Sequence, residues 1–236
     1  MIGDKSVLAI VVARGGSKGL PRKNVLDLGG KPLVAWSVAA GREARLVDRL
    51  ILSSDDAEII DAARRYGCDI PFVRPAALAG DASPVEDALI HALDNVGRSY
   101  DYLVLLQATS PLRSAADIDG AVTACHEAGA NSCISVVEAE KSPHMALRQT
   151  ADGRLVPLFD EFYRRGHGRR RQDMETFYMP NGAVYVARAS WFRESLDFYS
   201  AGSIGYVMPK ERSIDIDTRR DLTIAEIMLK TGASNV

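Results

Sequence analysis

A glycine-rich, cationic loop directly follows the first apolar segment of the chain. Val7–Asn24 reads VLAIVVARGGSKGLPRKN, and the part from Arg14 onward holds three glycines and four cationic residues. The glycines let backbone N–H groups approach an anion without a Cβ in the way. The residues that would add charge-assisted contacts to phosphate oxygens are Arg14, Lys18, Arg22 and Lys23. A strand that runs into such a loop predicts a polyphosphate site; a solvated basic turn is the alternative.

The glycine spacing of this loop fits neither of the two common nucleotide fingerprints. The dinucleotide pattern has glycines at its first, third and sixth positions, whereas this loop has Gly15, Gly16 and Gly19. The P-loop needs Gly-Lys-Ser/Thr after four spacer residues, and Lys18 is followed by Gly19 and Leu20. We therefore expect a phosphate loop of a third kind.

Two acidic residues near the end of the chain are the second candidate for chemistry. Asp215 and Asp217 flank Ile216 on a segment that resembles a strand. The period of two would place both carboxylates on one face. Two carboxylates that face a triphosphate form a hard oxygen site for Mg²⁺, with Mn²⁺ as a substitute. The alternative is a helix start capped by Asp217 or Thr218, which explains one acid but not the pair.

The phosphate loop and four further segments resemble the CMP-sialic acid synthetases, the acylneuraminate cytidylyltransferases. The loop matches their signature Arg-x-Gly-Ser-Lys-Gly-x-Pro-x-Lys-Asn. The family blocks RPAELA, LLQPTSPLR, PNGAIY and SIDIDT are matched, in that order, by Arg74–Ala79, Leu105–Arg113, Pro180–Tyr185 and Ser213–Thr218. Five blocks in the right order indicate the family, which includes relatives for legionaminic, pseudaminic and Kdo-type sugars. They do not name the sugar.

The resemblance implies a reaction and a nucleotide site. CMP would pass from CTP to the anomeric hydroxyl of a nine-carbon α-keto acid sugar, an N-acylneuraminate, with release of pyrophosphate. A legionaminic, pseudaminic or Kdo-type acid is the alternative acceptor. The implied catalytic residues are Arg14, Lys23, Asp215 and Asp217, the two aspartates being the metal ligands. The implied CTP-binding residues are Arg14, Gly15, Gly16, Ser17, Lys18, Lys23, Asn24, Arg74 and Ser83. Arg74 would donate to O2 and N3 of cytosine, whereas uracil presents N3–H there.

The acceptor sugar has four implied ligands, which are Gln107, Lys141, Arg171 and Asn181. Gln107 ends a predicted buried strand, where a loop-stabilising role is the alternative. Asn181 precedes a glycine, so a turn residue and a ligand of a sugar hydroxyl remain equally open. Arg171 closes an arginine-rich patch, residues 164–171, that predicts either a solvated loop or capture of the sugar carboxylate across a dimer interface.

The chain departs from the family pattern at three places. Ala108 stands where proline is usual, and Met179 stands where arginine often precedes the Pro-Asn-Gly block. The stretch Asp81–Val85 replaces a serine-rich segment. The altered Asp81–Val85 stretch leaves the base and ribose contacts open, and Met179 indicates a missing polar contact and a less hydroxylated acceptor.

Short apolar runs alternate with helical patterns along most of the chain. The predicted strands are Val7–Ala13, Arg49–Ser53, Tyr102–Gln107, Ser132–Glu138, Gly182–Ala187 and Tyr206–Met208. The predicted helices are Leu33–Ala44, Ala57–Tyr66, Val85–Val96, Ala116–Ala128 and Arg219–Leu229. This alternation predicts a three-layer, Rossmann-like α/β nucleotidyltransferase with a mostly parallel sheet. Residues 141–176 break the rhythm, so we expect 1–140 with 177–236 as the core and 141–176 as an inserted dimerisation and sugar-binding extension.

Composition narrows the class of protein. A chain of 236 residues with 47% hydrophobic and 25% charged residues is typical of a soluble globular enzyme. A net charge of −2 disfavours general attraction to nucleic acid or membranes. The three cysteines have no metal-site spacing, and we see no leader peptide or membrane-spanning segment. We therefore expect a cytoplasmic homodimer whose partners are CTP and an anionic sugar.

Two other classes remain as alternatives. A nucleotide-sugar-dependent glycosyltransferase also carries a metal-binding Asp-x-Asp, but that motif usually ends a central strand, whereas Asp215 and Asp217 lie near the C-terminus. A non-catalytic nucleotide-sugar sensor would not need to keep both acids together with Lys23 and Gln107.

Overall fold

The computed structural model describes residues 1–159 and 175–232. Its strands are β1 (Val7–Val12), β2 (Asp27–Leu28), β3 (Lys31–Pro32), β4 (Arg49–Ser53), β5 (Tyr102–Gln107), β6 (Ser132–Glu138), β7 (Leu147–Gln149), β8 (Leu155–Pro157), β9 (Tyr178–Arg188) and β10 (Ile204–Val207). Its α-helices are α1 (Leu33–Glu43), α2 (Ala57–Arg65), α3 (Val85–Asn95), α4 (Ala115–Glu127), α5 (Ala189–Ser195) and α6 (Arg219–Thr231). None of the described helices is long and apolar enough to cross a membrane.

The chain divides into two compact units. The larger comprises Met1–Val136 and Pro180–Val236, and the smaller comprises Val137–Met179. The predicted insertion, residues 141–176, falls within the smaller unit. That unit contains the antiparallel hairpin of β7 and β8, in which Arg148 pairs with Val156.

The larger unit is built on a six-stranded sheet with the order β10-β6-β9-β5-β1-β4. Strand β1 is parallel to both β4 and β5, and β10 is parallel to β6. Strand β9 runs antiparallel to β5, with Tyr185 opposite Leu105. The prediction of a mostly parallel sheet is confirmed.

Strand β9 is longer than the predicted strand Gly182–Ala187 because it continues through Pro180 and Asn181. Those residues usually end strands, so the sequence indicates a break there. Gly182 has a φ of 74°, a value that glycine adopts without strain, and this lets the strand pass through the Pro-Asn-Gly block.

The central strands are buried on both faces, which explains their continuous apolar sequences. On β1, Val7, Ala9 and Val11 belong to one apolar cluster with residues of α1, α2 and α4. The alternate residues Leu8 and Ile10 belong to a second cluster with residues of α3 and α5. Helices therefore cover both faces of the sheet, and the predicted three-layer architecture is confirmed.

Three parallel strands end side by side at one edge of the sheet. Val12 at the end of β1 is in register with Ser53 on β4 and with Gln107 on β5. The phosphate loop, the Ser54–Asp56 turn and the loop after Gln107 all leave from this edge. A ligand site is expected at such an edge of an α/β sheet.

Candidate active site

Two hydrogen bonds fix the backbone at the start of the phosphate loop. The Ala13 N–H donates to Ser53 O at 3.2 Å, and the Asn24 side-chain amide donates to Arg14 O at 2.9 Å. A Cβ at Gly19 would lie 2.9 Å from the carbonyl oxygen of Asp217. Glycine is therefore needed where the loop passes the acidic segment, and the two candidate motifs of the sequence are neighbours in space.

The loop lines a cavity of about 560 Å³ at the carboxyl edge of the sheet. Nine of the predicted site residues contribute to its lining, which are Arg14, Ser17, Lys18, Lys23, Asn24, Arg74, Ser83, Gln107 and Asp217. The lining does not include Gly15, Gly16, Asp215 or Asn181. The Gly15 N–H donates to Asp55 Oδ1 at 3.1 Å, and the role of Gly15 in binding CTP stays a prediction.

Each cation that the loop presents to the cavity is matched by a carboxylate. Arg14 contacts Asp81 at 3.1 Å and donates to Gly80 O at 2.6 Å, and Lys18 contacts the same carboxylate at 2.6 Å. The hydrogen bond from Lys18, with the charges of both cations, lowers the pKa of Asp81. Lys23 Nζ lies 2.8 Å from Asp217 Oδ1. An incoming polyphosphate can take the place of these carboxylates at the same nitrogen atoms.

Arg74 forms the buried wall of the cavity, with only 6% of its surface exposed. Its Nε donates to Ser53 Oγ at 2.9 Å, and its Nη2 donates to the Ser53 carbonyl. Its Nη1 has no hydrogen-bond partner within the described parts of the chain. Burial lowers the pKa of Arg74, an effect opposed by the charge of Asp55. The end of β4 thus holds the guanidinium in place and leaves one nitrogen for a ligand.

The acidic segment Ser213–Thr218 is not a strand of the sheet, which corrects the strand-like interpretation. Buried and exposed residues nevertheless alternate along the segment as they would along a strand. Ile216 is fully buried against Leu28 and Leu222, while its two neighbours are exposed. The Ile216 N–H donates to Thr109 O at 2.8 Å, which fastens the segment to the loop after β5. The hydrogen bond of Ile216 therefore fixes the position of both acids in the segment.

Thr218 is the N-cap of α6, in a capping box with Asp221. The Asp217 carboxylate is therefore left free for Lys23 and the cavity. Protein groups around the Asp215 carboxylate shield it from water and raise its pKa, although the residue as a whole is exposed. The negative charge of Asp217 adds to the effect, and a hydrogen bond from Thr109 opposes it. Two like charges close together favour a bound cation.

Gly182 is the point at which Asp215 meets the loop after β5. A Cβ on Gly182 would lie 3.1 Å from Gln107 Oε1, 3.4 Å from Asp215 Oδ2 and 3.4 Å from Ser110 Oγ. Ser110 is fully buried, and its hydroxyl has no partner in residues 1–159 or 175–232. Three oxygen atoms from two segments thus converge beside a residue that lacks a side chain.

Asn181 has a structural role that neither sequence alternative anticipated. Its Oδ1 accepts from Ser135 Oγ at 2.6 Å and from the Ala183 N–H at 3.2 Å. Its Nδ2 donates to Ser213 Oγ at 2.9 Å and contacts Met208 Sδ at 3.3 Å. The buried amide holds β6, β9 and the acidic segment together, and this geometry does not support a direct sugar contact.

Arg113 connects three elements beneath the cavity. It is buried, and its guanidinium donates to the carbonyls of Ala183 and Gln107 and to Ser37 Oγ. Burial lowers the pKa of Arg113 to about 9, opposed by the charges of Asp117 and Asp215. Arg113 thus joins α1, β5 and β9.

The sequence interpretation missed two features near the site. Asp81 contacts Arg14 and Lys18, although its segment was singled out only as a departure from the family. Tyr185 lies on β9, and burial raises the pKa of its hydroxyl, with Tyr199 and Asp215 adding to the effect. Its ring centroid is 5.3 Å from that of Phe198.

Two predicted sugar ligands remain to be placed, Lys141 and Arg171. Lys141 is an exposed residue of the smaller unit. Arg171 and the arginine-rich patch of residues 164–171 lie outside the described residues. The roles of these residues stay predictions.

Comparison with solved structures first identifies the fold. The structure of CMP:2-keto-3-deoxy-manno-octonic acid synthetase complexed with CTP matches with a TM-score of 0.71, over 96% of this chain and 99% of that one, at 15% identity. The 4-diphosphocytidyl-2C-methyl-D-erythritol synthase of Anaerococcus prevotii DSM 20548 matches with a TM-score of 0.65 at 14% identity, over 96% and 99% of the two chains. The chain therefore shares the fold of these two proteins.

Sequence comparison then identifies the family. Residues 8–163 match the sequence model of the cytidylyltransferase family, and the chain belongs to that family. It is 34% identical to pseudaminic acid cytidylyltransferase of Campylobacter jejuni strain 81-176, over 95% of this chain and 97% of that one. It is 32% identical to CMP-N,N'-diacetyllegionaminic acid synthase of Legionella pneumophila strain Philadelphia 1, over 95% and 96%.

A third relative has a longer chain. The chain is 33% identical to N-acylneuraminate cytidylyltransferase of Escherichia coli O18:K1:H7, over 93% of this chain and 51% of that one. The resemblance to the CMP-sialic acid synthetases is confirmed. These matches favour nucleotidyl transfer over the glycosyltransferase and sensor alternatives.

Proposed function

We propose that this protein transfers CMP from CTP to the anomeric hydroxyl of a nine-carbon α-keto acid sugar and releases pyrophosphate. The observation that carries the proposal is one cavity lined by the cations of the phosphate loop, by Arg74 and Gln107, and by Asp217. The relatives are named for pseudaminic, legionaminic and N-acylneuraminic acids at 34%, 32% and 33% identity. These similar values support the acceptor class, with the N-acylneuraminate of the sequence interpretation as one member.

We propose that CTP lies with its phosphates on the loop and its base toward Arg74. Lys23 is suited to the reacting phosphate, because only 14% of its side chain is exposed and its ammonium already pairs with a carboxylate at 2.8 Å. Arg14 and Lys18 would hold the departing pyrophosphate. Nη1 of Arg74 would donate to the acceptor atoms of cytosine. Uracil cannot bind in the same way, because its N3 carries a hydrogen and cannot accept a hydrogen bond.

In the proposed reaction these residues would neutralise the charge of the triphosphate and position the two substrates. Phosphoryl transfer needs little covalent chemistry from the protein, and preorganised cations stabilise the charge that develops on the phosphate oxygens. Gln107 at the end of β5 would orient the acceptor, since its side-chain amide faces the cavity beside Gly182. The hydroxyl of the sugar then attacks the α-phosphorus as the bond to pyrophosphate breaks.

We propose that Asp215 and Asp217 hold Mg²⁺, for which Mn²⁺ can substitute. Within the described ranges no group of three or more His, Cys, Asp or Glu side chains is arranged to hold a metal. Mg²⁺ commonly binds one or two carboxylates together with substrate phosphates, so this pair of acids beside the phosphate loop fits such a site. When bound, the ion would supply positive charge at the phosphate oxygens.

We further propose that the protein acts as a homodimer that uses the smaller unit. That unit exposes several large apolar side chains, which are Met145, Leu147, Leu155, Leu158, Phe159, Tyr178 and Met179. Apolar surface of this extent on a small unit favours burial against another chain. A two-fold dimer is the commonest arrangement, and it would let Arg171 of one subunit reach the sugar carboxylate in the other.

The proposed function is tested by incubating the protein with CTP, Mg²⁺ and a panel of N-acylneuraminic, pseudaminic, legionaminic and Kdo acids, with pyrophosphate as the readout. We expect release only when such an acid is present, and the rates across the panel rank the acceptors. Equal turnover with UTP or ATP would overturn the cytidine assignment. Release with sugar 1-phosphates but with no α-keto acid would overturn the acceptor class.

A further inference from the structure

Arg22 holds an unusual backbone conformation inside the phosphate loop. Its φ is 57°, and Leu196 is the one other non-glycine residue with a positive φ in the described parts of the chain. A residue with a Cβ is disfavoured there, so neighbouring contacts must maintain the conformation. Arg22 directly precedes the 3₁₀ turn Lys23–Val25, and its carbonyl accepts from the Val25 N–H at 3.0 Å.

The side chain of Arg22 points away from the cavity, toward the first turn of α2. Nη1 lies 2.5 Å from Asp56 Oδ2 and Nη2 lies 3.1 Å from Asp56 Oδ1, which is a two-pronged pair. Nη2 also donates to Glu58. The hydrogen bonds with Asp56 and then Glu58 raise the pKa of Arg22. The lining of the cavity does not include Arg22.

The other arm of the loop is fastened to the same place. The Gly15 N–H donates to Asp55 Oδ1, and a Cβ on Gly15 would lie 2.7 Å from Asp56 Oδ2. Asp56 is itself held, because it caps α2 by accepting from the Ile59 N–H at 3.0 Å. The start of α2 therefore supports both ends of the phosphate loop.

The residues after Arg22 face the cavity. Lys23 and Asn24 both contribute to its lining, and they follow directly on the left-handed residue. A return of Arg22 to an ordinary φ would turn the chain at this point and move both side chains. The contacts of Arg22 with α2 thus affect the cavity indirectly, through the positions of Lys23 and Asn24.

We propose that Arg22 is a positioning residue of the nucleotide site. Its pairing with Asp56 and Glu58 fixes the second arm of the phosphate loop so that Lys23 and Asn24 face the triphosphate. The inference rests on the proposed function, because it takes CTP as the ligand of this cavity. Arg22 lies outside the cavity lining, and we expect it to affect CTP binding without contacting CTP.

The first test replaces Arg22 and measures the kinetics with CTP together with the melting temperature. Arg22→Gln should raise KM for CTP about three- to tenfold, the range expected for loss of a partly exposed ion pair. It should lower kcat as well, because Lys23 faces the reacting phosphate. Arg22→Lys should recover part of the loss, because lysine keeps the charge but not the two-pronged geometry. A lowered melting temperature with an unchanged KM would overturn the proposal, since it would show a purely structural role.

A matched control lies on α2, the helix whose first turn pairs with Arg22. Arg64 makes an exposed pair with Asp61 at 2.9 Å, so Arg64→Gln removes a similar ion pair away from the loop. We expect wild-type KM and kcat from this variant. An equal rise of KM in Arg64→Gln would overturn the proposal, because the effect would then follow from the charge and not from the loop.

A second variant separates positioning from direct contact by the sign of its effect. Glu58→Gln weakens the hold on Arg22 without altering the arginine. If Arg22 positions the loop, KM for CTP should rise; if Arg22 itself reaches the phosphates, freeing it should lower KM. A lowered KM would overturn the proposal. Should the wild-type protein not turn over CTP, the proposed function fails and this inference with it; wild-type kinetics in Arg22→Gln would defeat this inference alone.

Discussion

Lys23 Nζ and Asp217 Oδ1 lie 2.8 Å apart although 194 residues separate them in the chain. One residue comes from the loop after the first strand and the other from the turn before the last helix. Their contact closes the phosphate loop onto the acidic segment. A triphosphate and a metal ion bound between them would bring both into one reaction site.

The acidic pair should be needed for the chemical step. Asp215→Asn and Asp217→Asn each remove one negative charge and keep the shape of the side chain. We expect kcat to fall on the order of a hundredfold or more, which corresponds to roughly 3 kcal/mol of lost transition-state stabilisation. Kinetics with CTP and Mg²⁺ and a melting curve would measure this, and Asp61→Asn on α2 is the matched control. Near-wild-type activity in both variants would show that the pair is only structural.

Gly182 should tolerate no side chain. Gly182→Ala would place a Cβ 3.1 Å from Gln107 Oε1 at a φ of 74°. Because Gln107 must shift, we expect kcat/KM for the acceptor sugar to fall about tenfold or more, as is typical when a positioning group moves. Gly97 is the control, since it has a φ of 78° with no atom within 4 Å of its Cβ position. Gly97→Ala introduces the same backbone strain without the contact and should keep wild-type kinetics.

The ion pair of Asp117 with Arg212 predicts a pH dependence of stability. Burial by itself would raise the pKa of Asp117, but hydrogen bonds from Arg212 and Ser114 overcome this and leave the pKa lowered. A lowered folded-state pKa means that the stabilisation is present above the unfolded value of about 3.9 and is lost as the pH falls through the lower folded value.

Asp117→Asn should therefore destabilise the fold by about 2–4 kcal/mol at pH 7, as expected for a broken buried pair that also belongs to a helix cap. The difference from wild type should shrink as the pH is lowered from 5 toward 2, a range chosen to span the unfolded value of about 3.9. Urea unfolding across this range would measure it. A difference that stays constant with pH would contradict the assignment.

Subunit exchange should reveal whether Arg171 acts across an interface. Arg171→Ala protein is mixed with Asp215→Asn protein, and the chains are allowed to exchange. If Arg171 serves the site of the partner, each mixed dimer has one intact site, and activity should reach about a quarter of wild type for random two-fold pairing. If Arg171 serves its own chain, every site keeps one lesion and mixing restores nothing. A monomer in sedimentation would defeat the idea before any kinetics.

The residues by themselves determined the larger part of the fold. The strands Arg49–Ser53, Tyr102–Gln107 and Ser132–Glu138 were predicted with the bounds that the structure has. Local periodicity suffices for them because buried parallel strands are apolar on both faces and are flanked by clear helical patterns. The phosphate loop and the acidic pair were also recognisable, since their residue types are tied to the chemistry of phosphate and Mg²⁺.

Only the tertiary structure decided which polar residues are available to bind a ligand and which hold other parts of the protein together. Asn181 and Gln107 both carry side-chain amides, yet the amide of Asn181 is occupied by four neighbours while Gln107 lines the cavity. Arg22 and Lys23 are adjacent cations, yet one pairs with α2 and the other lines the cavity. A polar side chain is free for a ligand only if no protein group already satisfies it, and the groups that satisfy these residues come from segments remote in the chain.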